Sequence, residues 1–592
     1  MEPKLSKLLT EIRNGTIGSD RAAKGPFGVR RLTYADYTAS GRALSFIEEF
    51  IREEVLPLYA NTHTETSTTS LQTTRFREDA RELIHEVCGA SEKDCVIFSG
   101  SGATSAINKL IDALNLRLPA DLDAQYGLQD LIPVEQRPVV FIGPYEHHSN
   151  DLPWRESIAD VVVIPQDANG QIDQAFLERE LVRYADRPTR IGSFSAASNV
   201  TGILSDVHGI STLLHRHGAY AFWDFAAAAP YVRIDMNPEG EGIDPLAYKD
   251  AVFISPHKFI GGPGTPGVLL VKKSLLRNRV PTVPGGGTVS YVRETDHEYL
   301  RDPVHREEGG TPAIIESIRA GMVFHLKREV GEENIEAIER DYTRRAIARW
   351  SQQPNLEILG NPELPRLSIL SFVIHHGRCR LHHNYVVALL NDLFGIQTRG
   401  GCSCAGPYGH RLLHINHETS TQLKEAVHCG HECMRPGWTR LNFNYFIGEA
   451  TFSYILDAVA LIAARGHLLL RDYSFDADSG LWCHRERTSR AELSLHDLRY
   501  DEGGELRYPL HRETVGEDVL PTYLVRAQEL FDEVEARPGG EPSQQVSLAC
   551  EHERLRWFVL CSDSDGSRAR HEAIIPGPQR SDGLGISKGA ER

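Results

Sequence analysis

Short apolar runs recur through the first half of the chain. Each ends in small or polar residues, and amphipathic stretches separate them. Cys95–Phe98, Val139–Gly143, Asp160–Ile164, Arg190–Ser195, Ala219–Trp223, Ala251–Ile254 and Val268–Val271 predict strands. Helical spacing of apolar positions over Leu44–Val55, Ser105–Leu114 and Val207–His217 predicts helices around and between them. Strands alternating with helices predict an α/β domain with a doubly wound, mostly parallel sheet. Ala313–Glu329 and Glu332–Gln352 read as two long helices closing that domain.

From Leu356 the pattern changes. Leu356–Leu359, Ser368–His375 and Thr439–Tyr445 predict strands and His383–Phe394 a helix, so a smaller α+β domain is expected to about residue 470. Further on, Tyr523–Ala536 predicts a helix and Val546–Val559 a hairpin, while Asp563–Arg592 is polar, glycine-rich and expected to be disordered. The division that follows is a lead-in over 1–30, a large domain over 31–330, a small domain over 331–470, an extension over 471–562 and a tail over 563–592. Asn61–Ser70, dense in hydroxyls, reads as a loop.

Composition narrows the class. A chain of 592 residues, 41% hydrophobic and 24% charged, has length for a large core and more than one domain. No apolar run is expected to reach the roughly 18 residues of a membrane helix, and Met1–Lys24 carries no signal-peptide core. A net charge of -17 argues against nucleic acid as a partner. Ten cysteines scattered without an export signal point to a reducing cytoplasm. His428, Cys429, His431 and Cys433 cluster, but no second cluster completes a metal site, and no metal is expected.

The chemistry gathers at the ends of the predicted strands. Ser255-Pro256-His257-Lys258 leaves one strand and enters a glycine-rich turn before the next. A lysine held between buried strands is poorly solvated, which lowers its pKa and makes it a nucleophile towards aldehydes; a surface lysine at a strand end is the alternative. Gly100–Thr104 joins a strand to a helix N-terminus, an arrangement that binds phosphate. His147 lies at the end of another strand, where a flat ring can stack on a planar cofactor. Asp224 leaves an apolar strand into alanines, and such a carboxylate needs a partner, for which a protonated pyridine nitrogen is suited. In the small domain, Cys402 and Cys404 sit in a glycine-rich loop beside Arg399, whose charge would favour a thiolate. Arg440 lies on a strand and reads as a carboxylate clamp.

Taken in order, these motifs resemble the class V, fold-type I pyridoxal phosphate enzymes over roughly residues 30 to 465, and within them the cysteine desulfurases and selenocysteine lyases. The resemblance implies Lys258 as the lysine that binds pyridoxal 5'-phosphate covalently. It implies Gly102, Ala103, Thr104, Ser255 and His257 around the phosphate, His147 stacked on the ring, Asn199 near the phenolic oxygen and Asp224 on the pyridine nitrogen. Gly310-Thr311-Pro312 resembles the segment that reaches a phosphate across a dimer interface, which implies a homodimer with Thr311 as a ligand. Arg399 and Arg440, with Asn199, fall where the family binds an amino-acid carboxylate, and Cys404 where it carries the sulfur-accepting nucleophile.

Two positions depart from the desulfurase pattern. Ala227 stands where a glutamine is usual, and Cys402 where histidine is common. Both departures are similar to the desulfurase-like domain of molybdenum cofactor sulfurases, which also has a Cys-x-Cys loop. The implied reaction takes sulfur from L-cysteine as a persulfide on Cys404 and releases alanine, with Lys258 and His147 handling protons and a sulfur-acceptor protein downstream. The alternatives are another class V enzyme (an epimerase, aminotransferase or lyase acting on an amino acid) or a scaffold of the same fold without catalysis.

Overall fold

The computed structural model describes residues 3–62, 64–486, 493–537 and 550–563. The large domain is built on a seven-stranded sheet. Its spatial order is Asp94–Ser99, Gly267–Lys272, Ala251–Ile254, Tyr220–Asp224, Arg190–Ser195, Val139–Ile142 and Asp160–Val163. Gly267–Lys272 runs antiparallel to both its neighbours and the other pairings are parallel. Strands buried on both faces read as continuous apolar runs, which is why they were legible in the sequence. Val139–Ile142 and Ala251–Ile254 are buried throughout, whereas the edge strand Asp160–Val163 stays partly exposed. This is the fold-type I architecture that the motif order implied.

One long helix was missed. Thr68–Val87 is helical, so the hydroxyl-rich stretch expected to be a loop to Ser70 is in part a helix start, with Ser67 accepting from the Ser70 N–H at 3.4 Å. Serine and threonine are weak helix formers but good N-caps, and tertiary packing decides the rest. The helix packs on Ile314–Val330, where a Cβ on Gly321 would come within 2.5 Å of Ala80. Arg77 and Arg81 on its face hold the buried carboxylate of Glu308 at 2.5 and 2.9 Å. Burial raises the pKa of Glu308, but Arg81 and then Arg77 outweigh it and bring the group down to about 2.

The small domain carries a five-stranded sheet. Its main path runs Leu356–Ile358, Ile369–His376, Trp438–Asn442 and Arg399–Gly401, with Cys379–Arg380 pairing on the second strand. The N-terminal stretch forms the helix Pro3–Gly15, which buries Leu9 and Ile12, and a hairpin of Ala22–Gly25 with Gly28–Arg31. Contrary to the sequence reading, Glu449–Asp472 is long and apolar enough to cross a membrane by length and composition; 61% of its most apolar window is buried inside the molecule.

The extension lies on the small domain. Leu520–Ala536 packs on Glu449–Arg465, and the hairpin Tyr473–Phe475 with Trp482–His484 packs on His383–Phe394. The hairpin expected over Val546–Val559 does not form in its described part: Cys550–Leu555 is a helix, and Trp557 to Leu560 are buried. The Trp557 ring stacks on His382 at 5.3 Å, and its Nε1 donates to the Met434 carbonyl at 3.3 Å. Of the tail expected to be disordered, residues 564–592 lie outside the described residues.

Candidate active site

The carboxyl ends of the parallel strands define a crevice, the place where open α/β sheets bind ligands. Ser195 and Asp224 stand in register there, and the Ala196 N–H donates to the Asp224 carbonyl at 2.9 Å. The Asp224 carboxylate is buried and accepts from the Ala226 N–H at 2.8 Å; burial raises its pKa. Behind it, buried Glu146 accepts from the Ser195 N–H at 2.9 Å, the Ser195 hydroxyl at 2.6 Å and Asn150 Nδ2 at 2.7 Å. Burial lifts Glu146 to about 7, and the Asp224 charge adds to that.

Lys258 ends the tight turn Pro256–Lys258, and its N–H donates to the Ser255 carbonyl at 3.0 Å. Burial brings its amine down to about 8, Asp224 opposing and Arg440 assisting. Gly41 braces this turn: its N–H donates to the His257 carbonyl at 2.8 Å, and a Cβ there would lie 1.8 Å from the Phe259 oxygen. Only glycine tolerates that approach. Burial holds His257 down at about 4.

The turn before the helix Gly102–Ala113 meets the same corner. Gly102 has φ +57°, and a Cβ on it would be 2.9 Å from Ser255 Oγ. The Ala103 N–H donates to Ser255 Oγ at 2.8 Å. Thr104 shares a hydroxyl contact of 2.7 Å with Ser149. His147 Nδ1 accepts from the Ser149 N–H at 3.1 Å, so its neutral ring carries the proton on Nε2. Burial and the Lys258 charge push its pKa down to about 3.

The small domain supplies the opposite wall. Arg399 and Arg440 stand in register on adjacent antiparallel strands. Asp36 joins them: its Oδ1 accepts from Arg440 Nη2 at 3.0 Å and its Oδ2 from Arg399 Nε at 3.2 Å. Arg440 Nη1 donates to the Asn199 carbonyl at 3.0 Å. Burial lowers the pKa of Arg440, and the charges of Asp36 and Cys404 oppose it. Nothing in the sequence singles out Asp36; two arginines placed at a carboxylate site with no counter-charge were the available hint.

The cysteine loop is held from the large domain. The Cys404 carbonyl accepts from the His148 N–H at 2.9 Å, and His148 Nε2 accepts from the Gly406 N–H at 3.2 Å. Asn199 Nδ2 donates to the Ser403 carbonyl at 2.8 Å, leaving its buried Oδ1 without a partner among the described residues. Ser403 and Cys404 both adopt left-handed backbone, φ 53° and 56°. A non-glycine residue there is strained, and two in succession persist only where surrounding contacts over-determine them. Cys404 is exposed and Cys402 half-buried.

One cavity of about 240 Å³ brings these residues together. Gly102, Ala103, Thr104, His147, Asn199, Asp224, Ser255, His257, Lys258, Arg399, Cys404 and Arg440 line it, as do Ala227, Ser149 and Ser195. Thr311 does not; it is exposed, on a turn outside the cavity.

A family model for class-V aminotransferases matches residues 33–419. A protein of Halalkalibacterium halodurans named "Probable cysteine desulfurase" is 29% identical over 380 residues, covering 64% of this chain and 84% of the relative. One of the same name from Staphylococcus aureus is 27% identical over 382 residues, with the same coverage. Among solved structures, the cysteine desulfurase of Thermococcus onnurineus aligns with a TM-score of 0.58 at 22% identity, over 73% of this chain and 95% of that one. The Escherichia coli cysteine desulfurase CsdA aligns with a TM-score of 0.57 at 22% identity, over 76% and 98%.

Proposed function

Because the chain belongs to the class-V aminotransferase family, we propose that it is a pyridoxal phosphate-dependent cysteine desulfurase, which takes sulfur from L-cysteine onto Cys404 and releases alanine. The observation that carries this reading is the placement of Cys404. Its loop is tied by His148 and Asn199 over the same cavity that holds Lys258 and Asp224.

The residues fit the cofactor. Asp224 is a buried carboxylate with one backbone donor, suited to a protonated pyridine nitrogen. Gly102 leaves room that any Cβ would fill, between a helix N-terminus and Ser255. Thr104 and His257 border that space, and Lys258 is nucleophilic near neutral pH because its pKa is about 8. Once bound, pyridoxal phosphate supplies an electron sink for a bond at the substrate's Cα.

The chain's own groups do the rest. Lys258, in part unprotonated, takes and returns the Cα proton. His147 is neutral, carries its proton on Nε2 and lines the cavity. Arg399 engages Asp36 through Nε only, among the described residues, and its remaining N–H groups are open to a substrate carboxylate. Orientation by that clamp selects which Cα bond reacts. The Cys404 thiolate attacks the substrate sulfur; the substrate C–S bond breaks, an S–S bond forms, and the former Cβ takes up a proton to give alanine. A protein thiol outside the cavity would accept the sulfur next, and a second copy of the chain would receive Thr311.

The test is a visible absorbance spectrum with and without L-cysteine, followed by sulfide and alanine assays on the parent, Lys258→Ala and Cys404→Ala. Lys258→Ala should lose the bound-cofactor band. Cys404→Ala should keep the band and lose both products. A Cys404→Ala protein that turns over an amino acid as well as the parent would instead favour an epimerase, aminotransferase or lyase. Ala227 favours that second reading, since it gives the cavity wall no polar group where desulfurases usually have glutamine.

A further inference from the structure

A second and larger cavity, of about 540 Å³, lies on the other side of the segment Leu32–Ser40 from the active site. Thr38 and Ala39 face the active-site cavity; Leu32 to Tyr34 and Tyr37 face the second one. Its other walls come from the end of the N-terminal helix, from Phe446–Gly448 and from Val515–Glu517 of the extension. These last residues lie beyond the stretch that the family model matches.

Three half-buried arginines meet there: Arg13, Arg31 and Arg42. None forms an ion pair among the described residues. Arg13 donates to the carbonyls of Phe446 at 2.9 Å and Ile447 at 3.5 Å. Arg42 donates to the Ile17 carbonyl at 2.7 Å and lies 5.4 Å over the Tyr34 ring. The Arg31 Nε is buried and has no partner among the described residues. Carbonyls and a ring face satisfy some of these donors, and none of the three is in direct contact with a carboxylate among the described residues.

Two carboxylates, Asp20 and Glu517, share the cavity, and Glu517 accepts from the Thr451 hydroxyl. The balance is three positive groups against two negative, in a chain whose net charge is -17. A concave site that gathers unpaired guanidinium groups attracts oxyanions, because the fork of N–H donors matches carboxylate and phosphate. The ring of Tyr34 and the Phe446 segment give an organic ligand an apolar wall.

We propose that this cavity binds a small molecule bearing two or more phosphate or carboxylate groups. The site is separate from the amino-acid site and its assignment does not depend on the desulfurase reading. Isothermal titration of the protein loaded with its cofactor and freed of excess tests it, with pyrophosphate in one arm and citrate in the other. Saturable one-to-one binding is expected in at least one arm, and the stronger arm distinguishes phosphate from carboxylate chemistry. The double variant Arg31→Gln, Arg42→Gln should weaken that binding at least tenfold. Glu517→Gln removes an opposing charge and keeps a carbonyl oxygen for Thr451, so it should tighten binding severalfold. No saturable binding in either arm, or unchanged affinity in both variants, would overturn the proposal.

Discussion

Replacing Asp36 with Asn removes the charge that joins the two arginines. The two halves of that arrangement differ in burial. The Asp36–Arg440 pair has side chains 12% and 4% exposed, whereas Arg399 on the other oxygen is 50% exposed. A pair with an exposed partner contributes at most about 1 kcal/mol, so the cost falls mainly on Arg440. Breaking a buried pair by removing one partner costs about 3–5 kcal/mol, because the other charge stays buried. The amide oxygen of Asn can still accept one N–H from Arg440, which places Asp36→Asn near the low end, at about 3 kcal/mol. Asp36→Ala loses the acceptor too and should cost more. Equilibrium urea unfolding of parent and variants at one pH measures the difference. In turnover, the clamp loses its anchor, so KM for the amino acid should rise about tenfold while kcat changes less. A variant Asp36→Asn as stable as the parent to within about 0.5 kcal/mol would refute the argument, since changes of that size belong to surface sites.

Other expectations follow from buried groups. Glu146 is lifted by burial to about 7 from 4.5, so between those pH values the folded chain holds a proton that the unfolded chain has lost. Stability should therefore fall as pH rises from 4.5 to 7, and Glu146→Gln should remove that slope; urea midpoints at pH 5 and 7 that fall equally in parent and variant would count against it. Lys258, held by burial near 8, should be trapped by pyridoxal phosphate and borohydride at a rate that climbs about tenfold per pH unit and levels off near pH 8; a climb continuing towards pH 10 would mean an ordinary lysine. Trp557→Ala, deleting a buried ring stacked on His382, should cost about 3–5 kcal/mol in unfolding experiments and Trp557→Phe much less. No loss in Trp557→Ala would mean that the segment around Trp557 contributes no packing to the small domain.

What the sequence by itself determined is the local part of this protein. Apolar runs buried on both faces announce strands, and glycine turns at their ends announce where backbone must come close, as at Gly102. The Ser255–Lys258 corner and the order of motifs were therefore readable, and with them the fold. The helix from Thr68 was not, because its hydroxyl-rich start favours a loop until Glu308, far along the chain, supplies the partner for Arg77 and Arg81.

Only the tertiary structure decided the pairings across the cavity. Asp36 meets Arg440 404 residues away, and His148 meets Gly406 258 residues away. No periodicity encodes such contacts, because strand order and the docking of one sheet against another set them. The same holds for the extension. Apart from the helix at Tyr523–Ala536 its sequence shows little pattern, and its apolar residues become core only through contacts with the small domain, as where Trp557 and Phe558 meet His382. Position along the chain settles which atoms a residue can offer; the burial of Asp36, Glu146 and Lys258 together settles what those atoms do, since charge in a desolvated site depends on its neighbours in space.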